Sequence, residues 1–145
     1  MSDGFCGEFF HNIDQKGRVI MPAIFREKLG EKFQVSKSPD KCLNIYPMDA
    51  WKEFEHKLTA IPDISDPRIR KIKRLLLGGS QECEADKQGR FLLPQPLRNY
   101  ANLEKDIVLV GVGRYIEVWD QAAYANESSD DNLGDAFQAV GQYGL

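Results

Sequence analysis

Two five-residue stretches carry the side chains best equipped for chemistry: Asp14-Gln15-Lys16-Gly17-Arg18 and Asp86-Lys87-Gln88-Gly89-Arg90. An aspartate can bond its own following backbone, and a glycine accepts a positive φ. Asp14 with Gly17, and Asp86 with Gly89, therefore read as the formers of two tight turns. The arginine after each glycine stands where turn becomes strand. There a guanidinium fork can meet a guanine edge or clamp a phosphate bidentately. Lys16 and Lys87 add point charges suited to phosphate. Arg18, Lys16, Arg90 and Lys87 are thus the candidate nucleic-acid contacts. The competing reading is that Arg18 pairs with Asp14, four residues back, and only stiffens the turn. Arg90 and Lys87 are the weaker candidates, because Glu82, Glu84 and Asp86 lie beside them, whereas Phe9-Phe10-His11-Asn12-Ile13 flanks the first turn without an acid.

Other chemistries find little to work with. Asp14 and Asp86 are accounted for as turn residues and are not expected to act as a catalytic carboxylate pair. His11 and His56 have no cysteine at ligand spacing, so no metal site is expected. Gly111-Val112-Gly113 lacks the third glycine and the strand-to-helix context of a dinucleotide loop and reads as a hairpin turn. No nucleophile-base constellation or phosphate loop stands out, so neither an enzyme nor a cofactor is expected. Cys6, Cys42 and Cys83 are odd in number and widely spaced, which fits small buried or neutral residues in a reducing compartment. Arg68-Ile69-Arg70-Lys71-Ile72-Lys73-Arg74 is the densest basic run. On a helix, Ile69, Ile72 and Leu76 would form a buried stripe under a solvated basic face. That face suits a solvent or subunit contact, with phosphate contact as the alternative. Arg26 and Arg98 fall on short helices and are expected to pack their stems and pair with nearby acids.

The elements that must position these residues come from an internal repeat. Asp14 to Arg26 recurs as Asp86 to Arg98, with Asp, Gly, Arg, Pro and the last Arg identical. After a one-residue shift, Cys42-Leu43-Asn44-Ile45-Tyr46 matches Tyr115-Ile116-Glu117-Val118-Trp119. Each unit predicts strands at Phe9–Ile13 and Val19–Met21, or Gln81–Ala85 and Phe91–Leu93. A short helix follows (Ala23–Leu29 or Gln95–Ala101), and then two more strands. These are Phe33–Ser36 and Cys42–Tyr46 in unit one, Ile107–Val110 and Tyr115–Trp119 in unit two. Between the units, Asp49 is a plausible cap for a helix carrying Trp51, Phe54 and Leu58 on one face. Ser65 or Asp66 would cap a second helix running to Leu77. The expected fold is α+β and β-rich, with two tandem ββαββ units. A unit this small needs a partner to bury a core, so the two copies should interleave as an intramolecular pseudo-dimeric barrel. The expected divisions are residues 7–50 for unit one, 51–79 for a helical linker, 80–123 for unit two and 124–145 for an acidic, fraying tail.

The chain has 145 residues, is 28% charged and has a formal net charge of −3. That sign argues at first against nucleic acid, but its distribution does not. Residues 1–80 hold 14 Lys/Arg against 11 Asp/Glu, and residues 81–145 hold 5 against 11. The segment from Asp120 onward has acids only, so its deletion should raise non-specific DNA affinity. The longest apolar run, Ile107–Gly113, is far short of the ~20 residues of a membrane helix. The Met1-Ser2-Asp3-Gly4 start lacks a basic and an apolar region, so no secretory signal is expected.

The residues resemble the MraZ family of bacterial transcriptional regulators. The resemblance rests on Phe5-Cys6-Gly7-Glu8, the two Asp-x-x-Gly-Arg turns, Leu43-Asn44-Ile45-Tyr46-Pro47 with Trp51, Arg74-Leu75-Leu76-Leu77-Gly78, and Val108-Leu109-Val110-Gly111 leading to Glu117-Val118-Trp119-Asp120. It covers about residues 5 to 120 and carries nothing over to residues 121–145. It implies two AbrB-like swapped-hairpin units per chain. It also implies ring-shaped homo-oligomers that bind double-stranded DNA at repeated promoter elements of the division and cell-wall gene cluster, the protein's own promoter included, in the cytoplasm at the nucleoid. No membrane or small-molecule partner is expected. The acidic second half motivates a rival: a protein-interaction or antitoxin-like module on the same fold.

Overall fold

The computed structural model describes residues 4–129 and 131–145. Met1 to Asp3, read above for a secretory signal, and Asp130 in the acidic tail lie outside the described residues. In chain order the elements are β1 (Phe5–Asn12), β2 (Arg18–Ile20), α1 (Ala23–Leu29), β3 (Lys32–Lys37) and β4 (Leu43–Pro47). Then come α2 (Met48–Thr59) and α3 (Pro67–Lys73), which runs on into a widened π turn at Arg74–Gly78. The second half repeats the series: β5 (Gln81–Glu84), β6 (Arg90–Leu92), α4 (Gln95–Tyr100), β7 (Asp106–Gly113), β8 (Ile116–Asp120), α5 (Gln121–Glu127) and α6 (Leu133–Gly141).

Strand pairing interleaves the halves. One antiparallel sheet has the order β1-β7-β8-β4-β3-β5, and β2 pairs with β6 in a separate ribbon. Apart from the hairpins β3–β4 and β7–β8, every pairing joins one half to the other. Exchanging β1 with β5, β7 with β3 and β8 with β4 returns the same sheet order reversed, which is a pseudo-two-fold relation. The expected barrel does not close. β1 and β5 are the two ends of the sheet, and neither pairs with the other. The chain leaves each end through an Asp-x-x-Gly-Arg turn and builds the β2–β6 ribbon instead of continuing the sheet.

One core serves both halves. Val19, Phe25, Phe33 and Val35 from the first are buried in the same cluster as Phe91, Leu93, Leu97 and Ile107 from the second. Phe33 and Phe91 meet edge to face with ring centroids 5.0 Å apart, the geometry that ring quadrupoles favour.

Several element ends differ from expectation. β1 starts at Phe5 rather than Phe9, because β7 is long enough to pair with it from Phe5↔Gly113 to Asn12↔Asp106. Gly111 and Gly113 are therefore strand residues, not a turn. A Cβ on Gly111 would lie 2.5 Å from the Cys6 nitrogen, so only glycine permits the approach. α2 begins one residue before Asp49. Asp66, not Ser65, caps α3, its side chain accepting from the Arg68 N–H at 3.0 Å. The stripe on α3 is not buried: Ile69 and Leu76 are half-buried and Ile72 is 41% exposed. Cys42 and Cys83 are buried as expected, but Cys6 is exposed.

Two helices stand where the sequence predicts a fraying tail. Asp120 caps α5 by accepting from the Ala123 N–H at 3.0 Å. Gln121 Nε2 donates to the Ile107 carbonyl at 3.0 Å, and the Tyr124 hydroxyl bonds the Glu8 carboxylate. α6 is exposed along its whole length. No helix among the described residues is long and apolar enough to cross a membrane.

Candidate nucleic-acid interface

Each turn is organised by its aspartate. Asp14 Oδ1 accepts from the backbone N–H of Lys16 at 2.9 Å and of Arg18 at 2.8 Å, while the Asp14 carbonyl accepts from the Gly17 N–H at 3.0 Å. Asp86 Oδ1 accepts from the N–H groups of Gln88 and Arg90, both at 2.9 Å, and its carbonyl from Gly89 at 2.9 Å. The φ angles of Gly17 and Gly89 are +84° and +83°, a region that side chains with a Cβ rarely enter. The Arg18 N–H, above all, holds the Asp14 carboxyl below its ordinary range, and the Arg90 N–H does the same for Asp86.

The two readings of the arginines turn out to be compatible. Arg18 Nε donates to Asp14 Oδ2 at 2.8 Å, and Arg90 Nε donates to Asp86 Oδ2 at 3.0 Å. Each pair uses Nε alone. The terminal Nη atoms make no hydrogen bond or ion pair among the described residues. The aspartate thus aims the arginine and leaves the fork free. The side chains of Lys16 and Lys87 are exposed beside them without a partner among the described residues.

The ribbon brings the two turns together. Its register is Arg18↔Leu92, Val19↔Phe91 and Ile20↔Arg90. Val19 and Phe91 point into the core and are buried. By strand alternation Arg18, Ile20, Arg90 and Leu92 share the outer face. Ile20 and Leu92 are 47% and 56% exposed there. The two arginines stand two ladder positions apart, about 7 Å along the strands. The ribbon continues into the turns, where the Met21 N–H donates to the Gly89 carbonyl at 2.8 Å and the Leu93 N–H to the Gly17 carbonyl at 2.9 Å.

Arg26 and Arg98 do not pair with acids among the described residues. Each donates to a backbone carbonyl of its own half and lays its guanidinium against the turn glycine of the other, and Arg26 also hydrogen-bonds across. Arg26 Nε reaches the Met21 carbonyl at 3.0 Å and Nη2 reaches the Gln88 carbonyl at 2.7 Å, so that its guanidinium covers Gly89. Arg98 Nε donates to the Leu93 carbonyl at 2.8 Å, and its Nη2 would lie 2.8 Å from a Cβ on Gly17. Sequence reasoning missed this positioning role. The signal was present: both arginines follow the turn arginine by eight residues. From the sequence Ile20 and Leu92 are only apolar strand residues, because the ribbon partner that turns them outward comes from the other half of the chain.

Asp14 and Asp86 are each occupied by their own turn. Among the described residues, no group of three or more His, Cys, Asp or Glu is arranged to hold a metal ion.

Interleaved halves, a ribbon made from one strand of each, and twin Asp-x-x-Gly-Arg turns define a tandem AbrB-like swapped-hairpin protein. The model of the family described as MraZ protein matches the chain twice, over residues 5–75 and 76–138. The chain is 49% identical over 143 residues to the transcriptional regulator MraZ of Desulfitobacterium hafniense, covering 97% of this chain and 99% of that protein. It is 46% identical to the protein of the same name from Acetivibrio thermocellus, over 89% of this chain and 90% of that one. Against the Carboxydothermus hydrogenoformans protein of that name, identity is 50% over 84% of this chain and 85% of that one. The chain belongs to the MraZ family.

Proposed function

We propose that this chain is a sequence-specific, DNA-binding transcriptional regulator that works as a homo-oligomer. The single observation that carries this reading is the outer face of the β2–β6 ribbon. There Arg18 and Arg90 are aimed by Asp14 and Asp86 with their Nη atoms unengaged, beside exposed Ile20 and Leu92. Two-stranded ribbons fit the major groove, where arginine forks read guanine and apolar groups meet the thymine methyl. A separation of about 7 Å matches two base-pair steps of ~3.4 Å. Lys16 and Lys87 lie alongside for phosphate. The first turn is the stronger reader, since exposed Glu82 and Glu84 on β5 lead into the second.

The proposed targets are repeated promoter elements of the division and cell-wall gene cluster, the protein's own promoter among them, with the protein working in the cytoplasm at the nucleoid. A ring of copies engages several repeats at once and gains avidity without a strongly basic chain. Fluorescence anisotropy on DNA from upstream of the gene tests this. Tight binding to repeat-bearing DNA, weakened by salt and by Arg18→Ala, is expected. Equal affinity for scrambled DNA would sink it.

A further inference from the structure

Beside the first turn, α4 carries a pair of amide side chains. Gln95 and Asn99 are both exposed and lie four residues apart, on one face of the helix. Gln95 Nε2 donates to Asn99 Oδ1 at 2.8 Å. That bond takes one N–H of Gln95. Its Oε1 and its second N–H have no partner among the described residues. The arrangement parallels Asp14 and Arg18: a neighbour fixes the side chain and leaves its hydrogen-bonding end open.

Three observations place the pair at the reading face. Leu93, two residues before Gln95, donates its N–H to the Gly17 carbonyl at 2.9 Å. Gln95 therefore starts within about 7 Å of chain from the first turn. It also stands one helical turn before Arg98, on the same side of α4, and the Arg98 guanidinium lies over Gly17. Leu97 is buried in the same cluster as Val19 and Phe91, so the exposed side of α4 and the outer face of the ribbon both turn away from one core. The helix brings no carboxylate to this surface.

The repeat sets the pair apart. The first half carries Ala23 where the second carries Gln95, and Glu27 where it carries Asn99. Ala23 has no hydrogen-bonding side chain, and Glu27 would meet phosphate with a like charge. The Arg18 end of the ribbon thus has a second group able to read a base, and the helix at the Arg90 end has no counterpart of it.

We propose that Gln95, held by Asn99, reads an adenine within three base pairs of the guanine that Arg18 meets. A carboxamide accepts from the adenine N6 amino group and donates to N7 at once, and that two-bond match selects adenine in the major groove. The inference rests on the DNA-binding reading and adds a specificity-determining residue and the base it selects.

The test recovers DNA bound by the full chain from a randomised library. The wild type should enrich a guanine that depends on Arg18 and an adenine within three base pairs of it. Gln95→Ala should lose the adenine and keep the guanine, and Asn99→Ala should weaken the preference at the same position only. Alanine already stands at the matching position of the first half, so Gln95→Ala is expected to fold, which thermal melting checks. A second probe needs only the wild-type chain: 7-deazaadenine at that position, which lacks the N7 acceptor, should weaken binding roughly two- to tenfold. An adenine preference that survives Gln95→Ala overturns the inference. So does an equal loss of affinity for every sequence, which would make Gln95 a phosphate contact, or full affinity for the 7-deaza DNA. A wild type that enriches the guanine and no adenine removes this inference alone. A wild type that enriches no sequence removes the DNA-binding reading with it.

Discussion

Arg26, on the helix of the first half, donates from Nη2 to the Gln88 carbonyl in the turn of the second half at 2.7 Å. Arg98 answers it by packing: its Nε donates to the Leu93 carbonyl of its own half, which lays its guanidinium over Gly17 in the first turn. Each candidate reading turn is thus shaped by its own aspartate and held in place by an arginine from the other half. Removing one clamp strands carbonyls at the base of the ribbon. Arg26→Ala should cost about 1–3 kcal/mol in urea unfolding and should weaken DNA binding as well, although Arg26 faces the protein. Arg26→Lys should recover little, because a lysine cannot span two carbonyls in a fixed plane. A DNA affinity unchanged by Arg26→Ala would separate the clamp from function.

Arg18→Ala should act in the opposite manner. Its pair with Asp14 is half-exposed, so the loss of stability should be small. Specific DNA affinity should fall roughly ten- to a hundredfold, more than for Arg90→Ala. The readout is anisotropy alongside thermal melting. A large fall in Tm with unchanged relative affinity would make Arg18 a structural residue.

Glycine substitutions separate backbone strain from crowding. Gly17 and Gly30 have φ values of +84° and +83°, but only Gly17 faces a guanidinium, whereas nothing lies within 4 Å of a Cβ at Gly30. Gly30, with ψ 176°, lies in an essentially glycine-only region, so Gly30→Ala should cost about 1–3 kcal/mol from backbone strain alone. Gly17→Ala should cost more, and Gly89→Ala more again, because Arg26 would have to leave. Denaturant midpoints check the order.

The turns also predict a pH response. The Asp14 and Asp86 carboxyls titrate below the ordinary 3.8 because backbone N–H groups bond their charged form. A depressed folded value stabilises the turn above the unfolded value, and that contribution is lost as pH falls through the folded one. The amide signals of Arg18 and Arg90 in NMR spectra should therefore hold steady at neutral pH and shift only below pH ~4. A shift centred at pH 5 or above would contradict the hydrogen bonding.

Thiol reactivity should divide the cysteines. Burial pushes the Cys42 thiol up to about 12 and that of Cys83 up to about 11, while Cys6 is exposed. The thiolate is the reactive form. Iodoacetamide at pH 8 should therefore modify Cys6 alone in the native protein, as read by peptide mass spectrometry. Equal labelling of Cys42 would show that its burial is wrong.

What the sequence determined by itself is what is local. Asp14 and Gly17 lie within one turn, so residue type and spacing suffice to specify its hydrogen bonds, and the same holds for Asp86 and Gly89. The repeat likewise made the ββαββ order legible. Tertiary structure alone decided which half completes which. Val19 pairs with Phe91, Arg26 grips Gln88, and Gly111 lets Cys6 approach. In each case the partner is about 60 to 105 residues away in sequence. The physical reason is burial. Neither half can enclose a core, so strands exchange until Phe33 and Phe91 share one. That exchange turns Ile20 and Leu92 outward and places two arginines on a single face. The open sheet and the helical tail were hidden for a related reason: strand closure depends on where the chain exits the sheet, and α5 is held by Ile107 and Glu8, 14 and 116 residues away in sequence.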